Sequence, residues 1–285
     1  MESLHRSLKK ALDWNLIWEK RDIRVDGWPL TSSPWPTIII CLVYVYLVKV
    51  LGPKFMNNRE PYNLKKVLML YNAFQILLST YIFIQGLRAG WGGDYSFLCE
   101  PVDFSDDPKA LLMLHCVWVY YLSKFSEFLD TFFFIARKKF RQVSLLHVYH
   151  HGIMPINAWL GVRFLPGGHG TFFGLLNTFV HILMYTYYLL AGLGPRFEKY
   201  LWWKKYLTGL QMIQFVLALV HSCLLFTQED CAYPVEFAYL ICFQAVIFLI
   251  LFSHFYFVTY IKPTKKINKK EGVDENSNTE AKKND

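Results

Sequence analysis

The sequence predicts an all-α membrane protein with seven transmembrane helices, a lumenal N-terminus and a cytosolic C-terminus. Composition is the first indication, because 54% of the 285 residues are hydrophobic, 18% are aromatic and the mean hydropathy is +0.22. Ordinary soluble domains are less apolar. The second indication is a series of apolar stretches of the length that a membrane-spanning helix needs, roughly 20 residues. The third is the alternating charge of the loops between them.

The predicted helices belong to one domain, residues 31–262. They run over Trp35–Leu51, Leu64–Gly86, Ala110–Ala136, Val143–Val162, Gly170–Leu193, Leu201–Phe226 and Val235–Ile261. Residues 1–30 form a charged, amphipathic lumenal arm that lacks the continuous apolar core of a signal peptide. Residues 263–285 are polar and without hydrophobic periodicity, so a disordered cytosolic tail is expected.

Loop charge sets the predicted orientation. Basic residues are concentrated in Lys54–Lys66, Arg137–Arg141 and Arg196–Lys205, which the positive-inside rule assigns to the cytosol. The opposite loops are mainly acidic and are expected in the lumen. The N-terminal arm disagrees, because it is basic although seven spans and a cytosolic tail place it in the lumen. The net charge of +8 is attributed to this bias and to attraction for anionic lipid or a phosphate-bearing substrate.

The cysteines divide by their predicted depth. Those inside predicted helices, where a free thiol behaves as a small apolar residue, are Cys41, Cys116, Cys223 and Cys242. Cys99 and Cys231 lie instead in predicted lumenal loops. An oxidising lumen permits a disulfide between them, and two unpaired thiols are the alternative.

The third predicted helix contains the charged residues Lys124, Glu127 and Asp130 within an otherwise apolar sequence. Charges at membrane depth must pair with one another or line a cavity. Lys124 and Glu127 are three residues apart, so an internal salt bridge is one interpretation. Arg137 opens the basic turn after this helix, where it either anchors the helix or binds substrate.

The fourth predicted helix contains three histidines in the sequence LLHVYHHGIMP. His147, His150 and His151 share one helical face, because they are spaced by three and four residues. Imidazole serves as base, nucleophile or metal ligand near neutral pH. A single buried histidine is often a packing residue, but three at membrane depth favour a functional site.

The fifth and sixth predicted helices carry further polar residues. Asn177 and His181 lie on one face of the fifth, and Gln211 and Gln214 lie on one face of the sixth. Hydrogen bonds between helices are the alternative role for the glutamines. At 1.5 Å per residue, all these polar groups lie roughly 6 to 20 Å from the cytosolic helix ends. A closed apolar compartment could therefore remain between this polar layer and the lumen.

Four ordered motifs resemble those of the very-long-chain fatty acid elongase (ELO) family. They are Lys124-x-x-Glu127-x-x-Asp130-Thr131, His147-x-x-His150-His151, Asn177-x-x-x-His181-x-x-Met184-Tyr185-x-Tyr187-Tyr188 and Thr208-x-x-Gln211-x-x-Gln214-Phe215. The resemblance covers about residues 26–262. It implies a seven-helix endoplasmic reticulum enzyme, a 3-oxoacyl-CoA synthase. Such an enzyme condenses a long acyl-CoA with malonyl-CoA and releases carbon dioxide and CoA, without a metal or other cofactor.

The residues that match these motifs are expected to carry the reaction. As a hypothesis, His150 attacks the acyl thioester and holds the chain as an acyl-imidazole, assisted by His181. Lys124 either holds the malonyl carboxylate or only neutralises Glu127. Tautomers and protonation are expected to be set by His147, His151, Asp130 and Glu127. Substrate-binding hydrogen bonds are expected from Asn177, Tyr187, Tyr188, Gln211 and Gln214, with Arg137 near the substrate at the cytosolic rim.

Two other classes of protein compete with this interpretation. A di-iron membrane desaturase or hydroxylase also uses an HxxHH box for iron ligation. It would need further histidine boxes, whereas His115, His169, His221 and His254 are single and scattered. A seven-span receptor or transporter could use the buried charges as a relay. No segment resembles a nucleic-acid module, so a nucleic-acid partner is not expected. The partners that the family resemblance implies are acyl-CoA, malonyl-CoA, membrane lipid and other elongation-cycle enzymes.

Lys282 and Lys283 occupy the fourth and third positions from the C-terminal end of the sequence. This is the position of a dilysine retrieval signal of the endoplasmic reticulum, although a lysine-rich tail could produce it by chance. Acyl chain length, unsaturation preference and oligomeric state are not predicted by the sequence.

Overall fold

The computed structural model describes residues 18–262, and within them the only regular secondary structure is helical. The all-α prediction is therefore confirmed for this range. The helices are α1 Pro34–Met56, α2 Lys65–Trp91, α3 Pro108–Ser126, α4 Phe128–Ala136, α5 Leu145–Phe164, α6 Thr171–Leu193, α7 Lys204–Thr227 and α8 Val235–Ile261. The predicted tail and the first 17 residues lie outside the described range.

Five of these helices, α1, α2, α6, α7 and α8, are long and apolar enough to cross a membrane by length and composition. The protein is thus a multi-pass membrane protein. The other two predicted spans correspond to α3 with α4 and to α5, which contain the buried charges and the histidines. Those polar side chains lower the hydropathy of both segments. The count of seven spans and the orientation of the termini stay predictions.

Several helices begin after a residue whose side chain caps the first turn. Ser33 accepts a hydrogen bond from the Trp35 amide at the start of α1, and Asp107 accepts one from the Lys109 amide at the start of α3. Ser144 caps α5 through the backbone amide of His147. Side chains of this type satisfy amide groups that have no partner inside the helix. The histidine-bearing helix therefore begins one turn before its first histidine.

The predicted helix over Ala110–Ala136 is divided in two at Glu127. The backbone of Glu127 lies at φ −67° and ψ −17°, and its amide donates a hydrogen bond to the Ser123 carbonyl. Helix α4 begins at the next residue, Phe128. The break places Glu127 at a joint between two helices. Periodicity alone did not predict this joint, because both helices continue the same apolar pattern.

Helix α5 occupies the interior of the bundle. It packs against α3 on one side and against α1 on another, whereas α2 packs along α6 and α7 packs along α8. Side chains of α5 therefore meet those of several other helices. This arrangement brings the polar residues of α3, α4, α5 and α6 into one interior layer.

The described part of the N-terminal arm packs against the same end of the bundle as the connections over residues 92–107 and 165–170. Arg163, at the end of α5, is buried and forms an ion pair with Asp26, at 2.6 Å between Nη1 and Oδ1. Arg24 pairs with Asp22 and also donates to the Asp103 carbonyl. The described part of the arm and the α2–α3 connection thus share one side of the molecule.

Cys99 and Cys231 are joined by a disulfide, with Cα atoms 5.9 Å apart. The bridge connects the α2–α3 connection to the α7–α8 connection. The free thiols in the described range include Cys223 and Cys242, whose sulfur atoms are 3.8 Å apart across α7 and α8.

Candidate active site

A buried ion pair forms the centre of the site. The Lys124 ammonium lies 2.6 Å from Glu127 Oε1, and each residue is 2% exposed. Desolvation of both charges opposes burial of such a pair unless additional contacts satisfy it. Lys124 has two of these, because it donates to Asn177 Oδ1 at 3.1 Å and lies 4.2 Å from the Tyr120 ring centroid. The pair is therefore tied to the neighbouring helix α6.

The orientation of the Asn177 amide follows from its neighbours. Its Oδ1 accepts from both Lys124 Nζ and the Tyr120 hydroxyl, the latter at 2.9 Å. The amide nitrogen therefore faces His181 Nε2, at 3.3 Å. Because an amide nitrogen only donates, His181 Nε2 is the acceptor and the imidazole proton sits on Nδ1. That nitrogen lies 3.4 Å from Glu127 Oε1, so the contacts fit a neutral His181 of one tautomer.

The three histidines of α5 contact one another. The ring centroids of His147 and His151 are 4.3 Å apart, and those of His150 and His151 are 5.1 Å apart. Their other contacts differ, since His147 Nε2 bonds to Thr131 Oγ1 and the His150 ring packs on Phe248 at 5.2 Å. The three imidazole rings therefore form one group on the helical face that the spacing predicted.

Asp130 belongs to a separate group of hydrogen bonds. Its Oδ2 accepts from the Tyr185 hydroxyl at 2.7 Å, and the Tyr185 ring contacts Tyr71. Tyr71 in turn accepts from Gln75 and donates to the Ser126 carbonyl. The partners of Asp130 are thus tyrosines, whereas the sequence suggested that it would orient a histidine. His147 has a hydroxyl partner instead.

The predicted substrate-binding residues occupy different surroundings. Gln211 donates to the sulfur of Met184 at 3.6 Å, and Gln214 is buried with an Oε1 that has no partner among the described residues. Tyr187 packs against Trp203. Tyr188 is exposed and Arg137 is half-buried at the end of α4. These five residues therefore surround the site, and none of the contacts described for them is with a histidine.

An apolar cavity adjoins the site. Its walls come from α2, α3, α5, α6 and α8. Tyr120 and Phe248 line its proximal end, where they also contact Asn177 and His150. Its distal end is lined by Trp91, Gly170 and Tyr233. A cavity thus lies between the polar layer and the loops that were predicted to be lumenal.

Several residues of the site were not identified from the sequence. Tyr120 precedes Lys124 by one helical turn, and Tyr71 and Gln75 are four apart on α2, so a search for polar residues at these spacings could have found them. Tyr44, which hydrogen-bonds to Thr131 at 2.8 Å, gave no such signal, because tyrosines near span ends commonly lie at the membrane interface. In the range 18–262, no three His, Cys, Asp or Glu side chains are grouped as metal ligands.

The fold and the site define a class: a multi-pass helical membrane protein with histidines, a buried ion pair and an adjoining apolar cavity. Residues 29–268 match the model of the GNS1/SUR4 family, ELO. The chain is 57% identical over 248 residues to very long chain fatty acid elongase 7 of Drosophila melanogaster, covering 87% of this chain and 75% of that protein. It is 53% identical over 243 residues to very long chain fatty acid elongase 7 of Rattus norvegicus, covering 85% and 86%.

A third relative, very long chain fatty acid elongase AAEL008004 of Aedes aegypti, is 59% identical over 247 residues, covering 86% of this chain and 68% of that protein. Identities of this size extend over nearly all of the described helices. The chain belongs to the GNS1/SUR4 (ELO) family. The resemblance of its four motifs to that family is thereby confirmed.

Proposed function

We propose that this protein is a fatty acid elongase that condenses a long or very long acyl-CoA with malonyl-CoA. The products would be a 3-oxoacyl-CoA, carbon dioxide and CoA. The observation that carries this proposal is the position of His150 beside one end of an apolar cavity. His150 packs on Phe248, which also lines the cavity. An acyl chain attached at the site would therefore have an apolar compartment beside it.

In the first step, a neutral imidazole nitrogen of His150 attacks the thioester carbonyl. The carbon–sulfur bond breaks, CoA leaves with a proton, and the acyl group remains bound to the imidazole. This intermediate divides one difficult condensation into two easier steps. Glu127 and the other two histidines of α5 would stabilise the positive charge that develops on His150 during attack, in a site shielded from water.

In the second step, the carboxylate of malonyl-CoA leaves as carbon dioxide and the resulting enolate attacks the acyl carbon. A carbon–carbon bond forms, the bond to His150 breaks, and a proton from solvent returns to the imidazole in place of the one that CoA carried away. Hydrogen bonds from Asn177 and the two glutamines of α7 would stabilise the enolate. His181, which Glu127 and Asn177 hold as one neutral tautomer, would assist by orienting the Asn177 amide.

Lys124 acts by neutralising Glu127 rather than by binding malonyl-CoA. Its ammonium already contacts Glu127, Asn177 and the face of Tyr120. An ammonium has three donors, so recruitment of a malonyl carboxylate would require the loss of one of these contacts. Lys124 is therefore a positioning residue in this scheme, and it keeps Glu127 charged and Asn177 oriented.

The remaining features fit an enzyme of the endoplasmic reticulum membrane with its CoA side facing the cytosol. The basic loops, with Arg137 at the end of α4, would attract the phosphates of CoA. Membrane lipid and other enzymes of the elongation cycle are the expected partners. Lys282 and Lys283, the retrieval-signal candidates, lie outside the described residues.

The test is to incubate membranes containing the full chain with labelled malonyl-CoA and a panel of acyl-CoAs, and to measure product masses. Labelled 3-oxoacyl-CoA, two carbons longer than its substrate, is expected without added iron or oxygen. Membranes without the protein are the control. Oxygen-dependent desaturation by protein with stoichiometric iron, and no incorporation of label, would replace the elongase with the desaturase interpretation.

A further inference from the structure

A loop residue forms part of the wall at the distal end of the cavity. Tyr233, from the connection between α7 and α8, lines the cavity and is 4% exposed. Its hydroxyl lies against the backbone of Gly170, so closely that a Cβ atom at position 170 would overlap it. Its ring packs on His169, with centroids 5.8 Å apart. Tyr233 therefore fills the end of the cavity opposite the histidines.

The loop that carries Tyr233 is tied covalently to the rest of the distal end. Cys231 precedes Tyr233 by two residues and is bonded to Cys99. Glu100, which follows Cys99 in the chain, accepts a hydrogen bond at 2.8 Å through its carbonyl oxygen from the amide of His169. Gly168, at φ +66°, approaches the Glu100 and Pro101 carbonyls so closely that a Cβ there would lie 2.7 and 2.8 Å from their oxygens. Three connections thus meet around Tyr233.

Removal of the bridge would release Tyr233. The α7–α8 connection would then be free to move away from Gly170, and the apolar cavity would open between the loops. Protein interiors are close-packed, so an acyl chain that reaches the ring of Tyr233 can extend further only if the ring moves. The disulfide thus acts on the cavity through the position of one side chain.

We propose that Tyr233 is the stop for the methyl end of the acyl chain, and that the Cys99–Cys231 disulfide positions it. The longest product is then set by the bridge as well as by the cavity walls. A small thiol that reduces the bridge, forming two cysteine thiols and its own disulfide, lengthens the products. This inference rests on the proposed function, because it requires an acyl chain in the cavity.

The experiment uses the full chain in membranes, malonyl-CoA and saturated acyl-CoAs of increasing length, with products measured by mass. Tyr233→Ala removes the stop and leaves the bridge in place. Cys99→Ser/Cys231→Ser removes the bridge and leaves the tyrosine. Cys223→Ser/Cys242→Ser is the matched control, because it makes the same substitutions at a pair of free thiols that do not line the cavity.

Both test variants are expected to extend the longest product by at least one round of elongation. For the first acyl-CoA beyond the wild-type limit, kcat/KM should rise by at least about tenfold, since one methylene in an apolar pocket changes kcat/KM by about 10- to 200-fold. Wild-type protein treated with a dithiol should give the same longest product as Cys99→Ser/Cys231→Ser. The control should keep the wild-type limit.

An unchanged limit in Tyr233→Ala would show that Tyr233 is not the stop. A longer limit in Tyr233→Ala but not after reduction of the bridge would remove the positioning role of the disulfide. If the serine pair fails to fold, titration of folded wild-type protein with the dithiol decides this point. Wild-type protein that condenses no acyl-CoA would instead overturn the proposed function.

Discussion

His150 and His181 differ in their surroundings, and the difference suits them to different steps. His150 lies beside a cavity-lining aromatic ring, where an attached acyl chain can enter the cavity. His181 lies between a carboxylate and an amide, and these two contacts select one tautomer of a neutral imidazole. An imidazole with both nitrogens engaged has no free lone pair with which to attack a thioester, but it can position the groups that it contacts.

The roles of these histidines predict separable defects. Acyl-CoA alone should load wild-type protein and release CoA, and intact-protein mass spectrometry should show one acyl adduct labile to hydroxylamine. His150→Ala should abolish both release and adduct. His181→Ala should retain partial loading, because removal of a group that acts only in a later step leaves the earlier one intact.

His254→Ala is the control, since His254 is an exposed residue of α8 outside the site. It should load as the wild type does. If no adduct forms and CoA appears only when both substrates are present, condensation is direct and His150 acts as a base.

At the scale of helices, the joint between α3 and α4 decides the geometry of the site. Glu127 sits at the break, where it pairs with Lys124 in the last turn of α3 and with His181 on α6. Glu127 contacts His181, whereas Asp130, three residues further along the chain, accepts a hydrogen bond from Tyr185.

The burial of the Lys124–Glu127 ion pair predicts that removal of one partner destabilises the protein. Lys124→Met should lower the free energy of unfolding by about 3–5 kcal/mol, because it leaves the Glu127 carboxylate buried without its partner. Lys124→Met/Glu127→Met should recover much of that loss but not activity, since a well-packed apolar pair often replaces a buried ion pair without cost. Denaturant titration of the purified protein, followed by circular dichroism, measures both.

The matched control is Lys109→Met, which removes one partner of the exposed ion pair with Asp94. Surface pairs contribute little to stability, so the unfolding midpoint should not change. Equal losses for Lys109→Met and Lys124→Met would contradict the assignment of the buried pair as a structural centre.

At the scale of the whole molecule, the two ends of the bundle differ. One end carries the N-terminal arm, the disulfide and the connections that close the cavity. The other carries the basic loops and is nearer to the polar layer. Within the arm, Arg24 pairs with Asp22, and Asp26 pairs with Arg163 of α5. The orientation of the bundle stays a prediction from the charges of the other loops.

We predict that Lys282 and Lys283 help to retain the protein in the endoplasmic reticulum. Lys282→Ser/Lys283→Ser should let some of the protein reach the Golgi, because the dilysine address would be lost. Fluorescence microscopy and glycan-processing reporters measure the distribution. Substitution of Lys269 and Lys270, earlier in the same tail, is the control for charge alone. Unchanged localisation of the first variant would indicate that the membrane spans suffice for retention.

The sequence by itself determined the helical class, the polar layer, the four motifs and the candidate disulfide. These depend on hydropathy, helical spacing and residue type, which are properties of short segments. Five apolar helices met the criterion for spanning a membrane. The two polar segments did not, because the site residues themselves reduce their hydropathy.

Only the tertiary structure decided which side chains are partners. The orientation of Asn177 depends on Tyr120, the contacts of Asp130 depend on Tyr185, and the cavity ends at Tyr233. Helical spacing predicts which face of a helix is polar but not the rotation of that helix against its neighbours. Contacts between residues more than 50 positions apart, such as Tyr120 with Asn177, therefore follow from packing and not from local sequence.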